Sequence, residues 1–436
     1  MKLRTKTLLF LALFISTTFV YQVKAKDFSK NQNNITGISS SEKVIGGYLP
    51  HYRMNKLSPD VFNYLTHLYY FSLGPNAEGE LGRITGLGDF IKAENISSVS
   101  SDIETLISQR GSKPVKIFVV IGGWELSDYF DEAAANTQSR ANLVANIKAF
   151  CLEHQLDGVD LDWEPYNGPV EDTHYGLLVS ELRQAFEGTD LQISVTVGPT
   201  HNSLAKVLTD ADFVQIMSYG NYFSENTQVS ISTLKNWVDD WINSGMDKSK
   251  LVIGLPAFAK TPDDNTTLIY NELAGFFAID KQKDWIEHDG KTYYFNNVNT
   301  VNQKTQFMMN NDLGGIMIWE IGQDIETSQT KSLLRNVHET ISTISSADIN
   351  ELTNNTFKLF PNPASNKINL EFEIRKSLEI RIFISDISGK VVWKNSEFKM
   401  PGNHLISINV GNLSNGFYIF NLYDGKSVKQ TSFIKK

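Results

Sequence analysis

Four carboxylates fall within eight positions of the segment LDGVDLDWEP (156–165): Asp157, Asp160, Asp162 and Glu164. Val159 and Leu161 between them, with Leu156 and Trp163 at the flanks, give the segment the texture of a buried strand. Strand side chains alternate faces, so Asp160, Asp162 and Glu164 share one face and Asp157 begins the strand. Carboxyl groups crowded in this way do not all ionise at neutral pH; at least one keeps or shares a proton. A carboxylic acid held protonated near pH 7 is a general acid. Two rival readings are surface aspartates at a helix or loop end, which the apolar alternation opposes, and a three-carboxylate Mg²⁺ or Ca²⁺ cluster, whose ligands usually come from several elements.

The elements that must hold these groups are legible as short apolar runs at 43–49, 65–73, 115–123, 156–163, 191–198, 213–220, 251–258 and 314–320. Continuous Val/Ile-rich runs of this length are expected of strands buried on both faces. Helical spacing lies between them. It places Leu143, Ile147, Phe150 and Cys151 on one apolar face, Leu177, Leu178, Leu182 and Phe186 on a second, and Leu234, Trp237, Val238 and Trp241 on a third. This alternation predicts an α/β fold, a (β/α)8 TIM barrel, with Glu164 at the C-terminal mouth where barrel enzymes do chemistry. An open doubly wound sheet is the alternative, but no Gly-x-Gly-x-x-Gly follows the first run. Two connections, 74–114 and 259–313, are long enough to build substrate walls, and HDGKTYYFNN in the second reads as a hairpin.

Texture divides the rest of the chain. Residues 1–25 combine a basic start, an apolar stretch and a small-residue site near Ala25, which predicts a secretory signal peptide. Residues 26–42 and 346–356 read as linkers around a barrel at 43–345. Residues 357–436 alternate apolar and polar positions and predict a small C-terminal antiparallel β-sandwich. That last segment carries 12 Lys/Arg and 6 acids, whereas residues 26–356 carry 24 Lys/Arg and 43 acids, so nucleic acid is not the expected partner of the barrel. The single cysteine, Cys151, permits no internal disulfide and reads as a buried thiol. No Cys/His metal spacing and no phosphate-cradling loop is present, so the expectation is no metal and no cofactor.

The spacing Asp-x-x-Asp-x-Asp-x-Glu, realised in Asp157, Asp160, Asp162 and Glu164, resembles the catalytic signature of glycoside hydrolase family 18, the chitinase and endo-N-acetylglucosaminidase family. THLYYFSL, QIMSYG and GGIMIWE resemble that family's second, sixth and eighth strands. The resemblance implies substrate-assisted hydrolysis, outside the usual two-carboxylate scheme. Glu164 would protonate the glycosidic oxygen, and the sugar's own acetamide oxygen would be the nucleophile. Asp162 would hold the acetamide N–H, Asp160 would share a proton with Asp162, and Tyr219 would donate to the acetamide oxygen. Trp319 would floor the sugar pocket, with Met217, Tyr48, Trp124 and Asn221 as further substrate contacts. Asp157, Gly122 and Gly123 would be structural supports.

Three positions depart from the family pattern. Val120 stands where a serine usually supports the aspartates from the third strand. Gly220, followed by Asn221, replaces the aspartate after Tyr219, and Pro165-Tyr166 inverts the usual order after Glu164. The implied function is a secreted hydrolase of β-1,4-linked N-acetylglucosamine, chitin or chitooligosaccharides. An endo-N-acetylglucosaminidase of N-glycan cores and a non-catalytic glycan-binding lectin are the alternatives. FKLFPNPASNKINLEF, ISDISGKVV and LSNGFYIFNL resemble the C-terminal sorting domain of type IX secretion, which implies a secretion machinery as partner and a secreted or cell-surface location. A carbohydrate-binding sandwich is the rival reading of that segment.

Overall fold

The computed structural model describes residues 43–84, 89–124, 126–165, 168–276, 283–351, 357–374, 378–387, 389–400, 402–423 and 428–436. The expected signal peptide and first linker, and Tyr166, lie outside them. Eight parallel strands close into a barrel: β1 Val44–Pro50, β2 His67–Pro75, β3 Lys116–Gly122, β4 Gly158–Asp162, β5 Gln192–Val197, β6 Phe213–Ile216, β7 Leu251–Pro256 and β8 Gly315–Trp319. Each pairs with its sequence neighbour, and β1 pairs with both β2 and β8, so no edge is left among them. All eight coincide with the apolar runs.

The runs are apolar on both faces because both faces are covered. Val159 and Leu161 of β4, like Val119 and Ile121 of β3, point outward into the layer shared with the helices. Val44, Tyr48, Tyr69, Phe118, Val120, Val252 and Met317 fill the barrel interior. Asp160 and Asp162 occupy the inward positions of β4, alternating with the outward Val159 and Leu161.

The helices follow their predicted faces with one exception. The α1 helix is Ser97–Arg110, α2 Phe130–Ala135, α3 Thr137–Glu153, α4 Pro169–Phe186, α5 Ile231–Asn243, α6 Tyr270–Phe276, α7 Val298–Asn310 and α8 Leu333–Glu351. The α3 helix buries Leu143, Ile147, Phe150 and Cys151, and α5 buries Leu234, Trp237, Val238 and Trp241. Asn136, Ser230 and Asn297 cap α3, α5 and α7 with their side-chain oxygens. In α4 the inward stripe is Tyr175, Leu178, Val179, Leu182 and Phe186, and the expected Leu177 is 42% exposed. Tyr175 takes the inward place because its hydroxyl donates to the Leu161 carbonyl at 2.9 Å.

The connection after β7 holds a four-stranded antiparallel sheet, Phe258–Lys260, Thr267–Ile269, Trp285–His288 and Lys291–Tyr294. The last two strands form the predicted hairpin, turning at Asp289 (φ 49°) and Gly290 (φ 70°). The connection after β2 folds back as strands Leu81–Ile84 and Phe90–Lys92. The α8 helix continues past residue 345 into the segment read as the second linker. From residue 358 the chain forms two antiparallel sheets, of three and four strands. They share one apolar cluster that includes Ile368, Phe372, Ile382, Ile408, Phe420 and Phe433.

Candidate active site

Strand β4 brings Asp160 and Asp162 into the barrel, where both are almost fully buried, and delivers Glu164 half-buried at the mouth. Asp157 stays at the opposite end. Its Oδ2 accepts from the Ile117 backbone N–H at 2.8 Å and from Arg110 Nη1 at 3.0 Å, which ties β4 to β3 and α1.

Gly122 and Gly123 allow β3 to close against Asp162. They sit at φ +111° and +91°. A Cβ on Gly122 would stand 2.1 Å from the Asp162 carbonyl oxygen, and one on Gly123 would stand 2.2 Å from the Phe71 ring. The Gly123 N–H donates to the same Asp162 carbonyl at 2.6 Å. Ser127, buried in the loop that follows, joins the same ends. Its hydroxyl lies 3.0 Å from Gly123 O and 3.1 Å from Asp162 O, and it accepts from the Glu164 N–H at 3.0 Å.

The carboxylates differ in surroundings. Asp160 accepts from the Tyr48 hydroxyl at 2.7 Å, from Thr196 Oγ1 at 3.0 and 3.2 Å, and from Gln215 Nε2 at 3.2 Å. Burial raises its pKa, and hydrogen bonds from Ser194, Tyr48, Thr196 and Gln215 offset part of that rise. Asp162 has no such help. Burial and then the charges of Glu164 and Asp160 push it well above the ordinary carboxylate range. Its Oδ1 has no hydrogen-bond partner among the described residues. Burial alone raises Glu164 to about 7. The Tyr219 phenol is raised by burial and by the three carboxylates, so it stays a neutral donor.

Asp162, Glu164, Tyr219, Trp319, Met217, Trp124 and Gly122 line a single cavity of about 430 Å³. Trp319 is braced edge-on by Phe71, with centroids 4.7 Å apart and planes at 77°. A second cavity of about 340 Å³ shares Trp124, Glu164, Met217 and Tyr219 and extends past Pro165, Pro199 and Tyr222. Open space therefore flanks Glu164 on two sides.

Other expected contacts fall elsewhere. Tyr48 is 1% exposed and lies beneath the cavity, because two further residues of β1 follow it before the mouth. It stacks on Tyr69 at 4.7 Å and serves Asp160 instead of ligand. Asn221 is exposed and lines neither cavity. Gln215 is fully buried among the interior hydroxyls. His67 is buried, and burial with the Lys116 charge lowers it to about 3. His51 reaches the cavity wall. Trp285 belongs to the inserted sheet, with Lys283 Nζ 5.0 Å from its ring. The thiol of Cys151 is buried, raised by that burial to about 12, and directed at the Gly158 carbonyl. Among the described residues, no three His, Cys, Asp or Glu side chains are grouped to hold a metal ion.

Ser127, Ser194 and Thr196 were not singled out from sequence. The last two stand two apart in ISVTV, a spacing that puts both hydroxyls on one strand face.

Residues 44–324 match the glycosyl hydrolases family 18 profile, and residues 358–436 match a secretion system C-terminal sorting domain. The chain belongs to glycosyl hydrolase family 18. Human chitinase-3-like protein 2 is 24% identical over 294 residues, 52% of this chain and 74% of that protein. Chitinase A1 of Niallia circulans is 22% identical over 301 residues, but this chain spans just 43% of its length. In fold, the chain is similar to the family 18 chitinase ChiB from the chitin utilization locus of Flavobacterium johnsoniae. The TM-score is 0.57 at 23% identity, over 70% of this chain and 95% of that one. A Cycas revoluta family 18 chitinase in complex with (GlcNAc)3 superposes with a TM-score of 0.58 at 21% identity, over 68% of this chain and 99% of that one. As a family 18 member the protein is a glycosidase.

Proposed function

We propose that the protein hydrolyses β-1,4 bonds of N-acetylglucosamine polymers, chitin or chitooligosaccharides, by substrate-assisted catalysis with retention. One observation carries this reading: an acid with a pKa near 7, Glu164, shares a cavity wall with the unpartnered Asp162 Oδ1 and the neutral Tyr219 phenol. These are the groups that a leaving oxygen and an acetamido side chain need. Glu164 gives its proton to the glycosidic oxygen as the bond to the anomeric carbon breaks. The carbonyl oxygen of the sugar's 2-acetamide attacks that carbon from the other face and forms an oxazolinium ion. Asp162 accepts the acetamide N–H and offsets the positive charge, and Tyr219 donates to the acetamide oxygen. Water then opens the ring, returns a proton to Glu164 and leaves the product in its original configuration.

Relatives named as chitinases, and a similar fold bound to GlcNAc oligomers, support chitin as the substrate class. Trp319 offers an aromatic face to a sugar ring. The C-terminal match supports export through a secretion machinery that recognises residues 358–436, to the cell surface or medium. The deciding experiment offers chitotriose carrying a fluorogenic leaving group beside a glycoprotein bearing high-mannose glycans. Release from the first supports the chitin reading. Release from the glycoprotein alone makes the protein an endo-N-acetylglucosaminidase, and binding of either without release makes it a lectin.

A further inference from the structure

The donors to Asp160 come from β1, β5 and β6, and none comes from β3. The cross-strand neighbour of Asp160 on β3 is Val120, fully buried in the apolar interior cluster, which offers no donor. Its neighbours on β5 are Ser194, directly opposite, and Thr196, opposite Asp162. Thr196 Oγ1 lies 3.0 and 3.2 Å from the two Asp160 oxygens and 2.6 Å from the Tyr48 hydroxyl, with Gln215 Nε2 at 3.4 Å. Thr196 is 1% exposed and lines neither cavity, so it touches no substrate.

We propose that Thr196 is a positioning residue for Asp160: its hydroxyl fixes the Asp160 carboxylate and favours its charged form, so the proton the two aspartates share rests on Asp162 in the empty site and passes to Asp160 when Asp162 takes up the acetamide N–H. A hydrogen bond to an ionised acceptor stabilises the charged form. Asp162, with an unpartnered oxygen and a carboxylate on either side of it in sequence, is where ionisation is hardest. The titratable groups that face Asp160 are Asp162, Tyr48 on β1, Tyr69 on β2, Tyr175 on α4 and Tyr219 after β6. The four phenols stay neutral, so the hydroxyl and amide donors, not counter-ions, decide which aspartate ionises first. The packing also shows that the hydroxyl need not come from β5. Position 120 flanks Asp160 equally closely, and a donor there would serve the same acceptor.

This inference rests on the catalytic reading of the site, so the test reads Asp160 directly as well as turnover. The Asp160 side-chain carboxyl is titrated by ¹³C NMR in wild type, T196V, T196S and the double variant V120S/T196V. The same proteins are assayed for kcat/KM against pH on chitotetraose. T196V keeps the side-chain shape and removes the donor. Asp160 should then titrate about one unit higher, the size expected for one lost hydrogen bond to a charged group. The acidic limb of kcat/KM should move by the same amount with KM within about twofold. T196S should restore the wild-type profile, and V120S/T196V should restore most of it. An unmoved Asp160 titration in T196V, or a T196S profile like that of T196V, overturns the proposal. If wild type cuts no oligomer at all, the hydrolytic reading fails, and the NMR titration alone still decides for or against Thr196.

Discussion

The Ser127 hydroxyl accepts the backbone N–H of Glu164 at 3.0 Å while it lies within 3.1 Å of the carbonyl of Asp162. One side chain from the loop after β3 thus fixes the backbone on both sides of Trp163, and with it the angle at which the acid leaves the barrel. S127A should lower kcat about tenfold to a hundredfold, because a misplacement of the order of an ångström is enough to do so. KM should change little, and stability should fall by about 1–2 kcal/mol for the lost buried hydrogen bonds. Steady-state kinetics with a urea melt check this. A kcat equal to wild type would leave Ser127 a purely structural residue.

The pH profile should be bell-shaped with its basic limb near 7. Glu164 must be protonated to act as an acid, and burial holds its pKa at about 7. Above that, kcat/KM should drop about tenfold per pH unit. A limb that stays flat to pH 9 would remove Glu164 from the acid role.

Glu164→Gln should abolish turnover, by about a thousandfold or more, and yet stabilise the fold at alkaline pH. The folded-state pKa of Glu164 lies above its ordinary value of 4.5. The folded state therefore binds more protons between about 4.5 and 7, and wild-type stability declines as pH rises through that window. The variant cannot ionise there and escapes the decline. Thermal melts should coincide near pH 4 and favour the variant by about 1–3 kcal/mol at pH 8. A variant less stable than wild type at pH 8 would contradict the burial argument.

Trp319→Ala should act on binding. The ring lines the cavity and is braced by Phe71, so its loss removes a preorganised apolar face. KM for chitooligosaccharides should rise about tenfold, with kcat less affected, the size expected for one aromatic contact. An unchanged KM would place the sugar elsewhere in the cleft.

The barrel was legible because its strands are buried on both faces, so each appears as an unbroken apolar run. The carboxylates stood out for the converse reason: acids at inward positions interrupt such a run and demand a use. Tyr48 was misplaced because a run shows a strand without showing how far it extends. Two more residues of β1 put that ring below the cavity, not at its rim. Leu177 was misplaced because the hydrogen bond of Tyr175 to the Leu161 carbonyl sets the rotation of α4, which turns Leu178 and Val179 toward the core and leaves Leu177 outside it. The partners of Asp160 could not be read from β4, since cross-strand neighbours depend on register. Val120 signalled a lost donor, and β5 supplies hydroxyls in its place.

The central claim is that the substrate's own amide replaces a protein nucleophile, and the most direct measurement varies that amide alone. Initial rates are compared on chitotetraose and on the same tetrasaccharide with its N-acetyl groups removed, at equal saturation and pH. The account predicts steady cleavage of the first and at least a thousandfold slower cleavage of the second, the order of the advantage an intramolecular nucleophile confers. Equal rates on the two would contradict it.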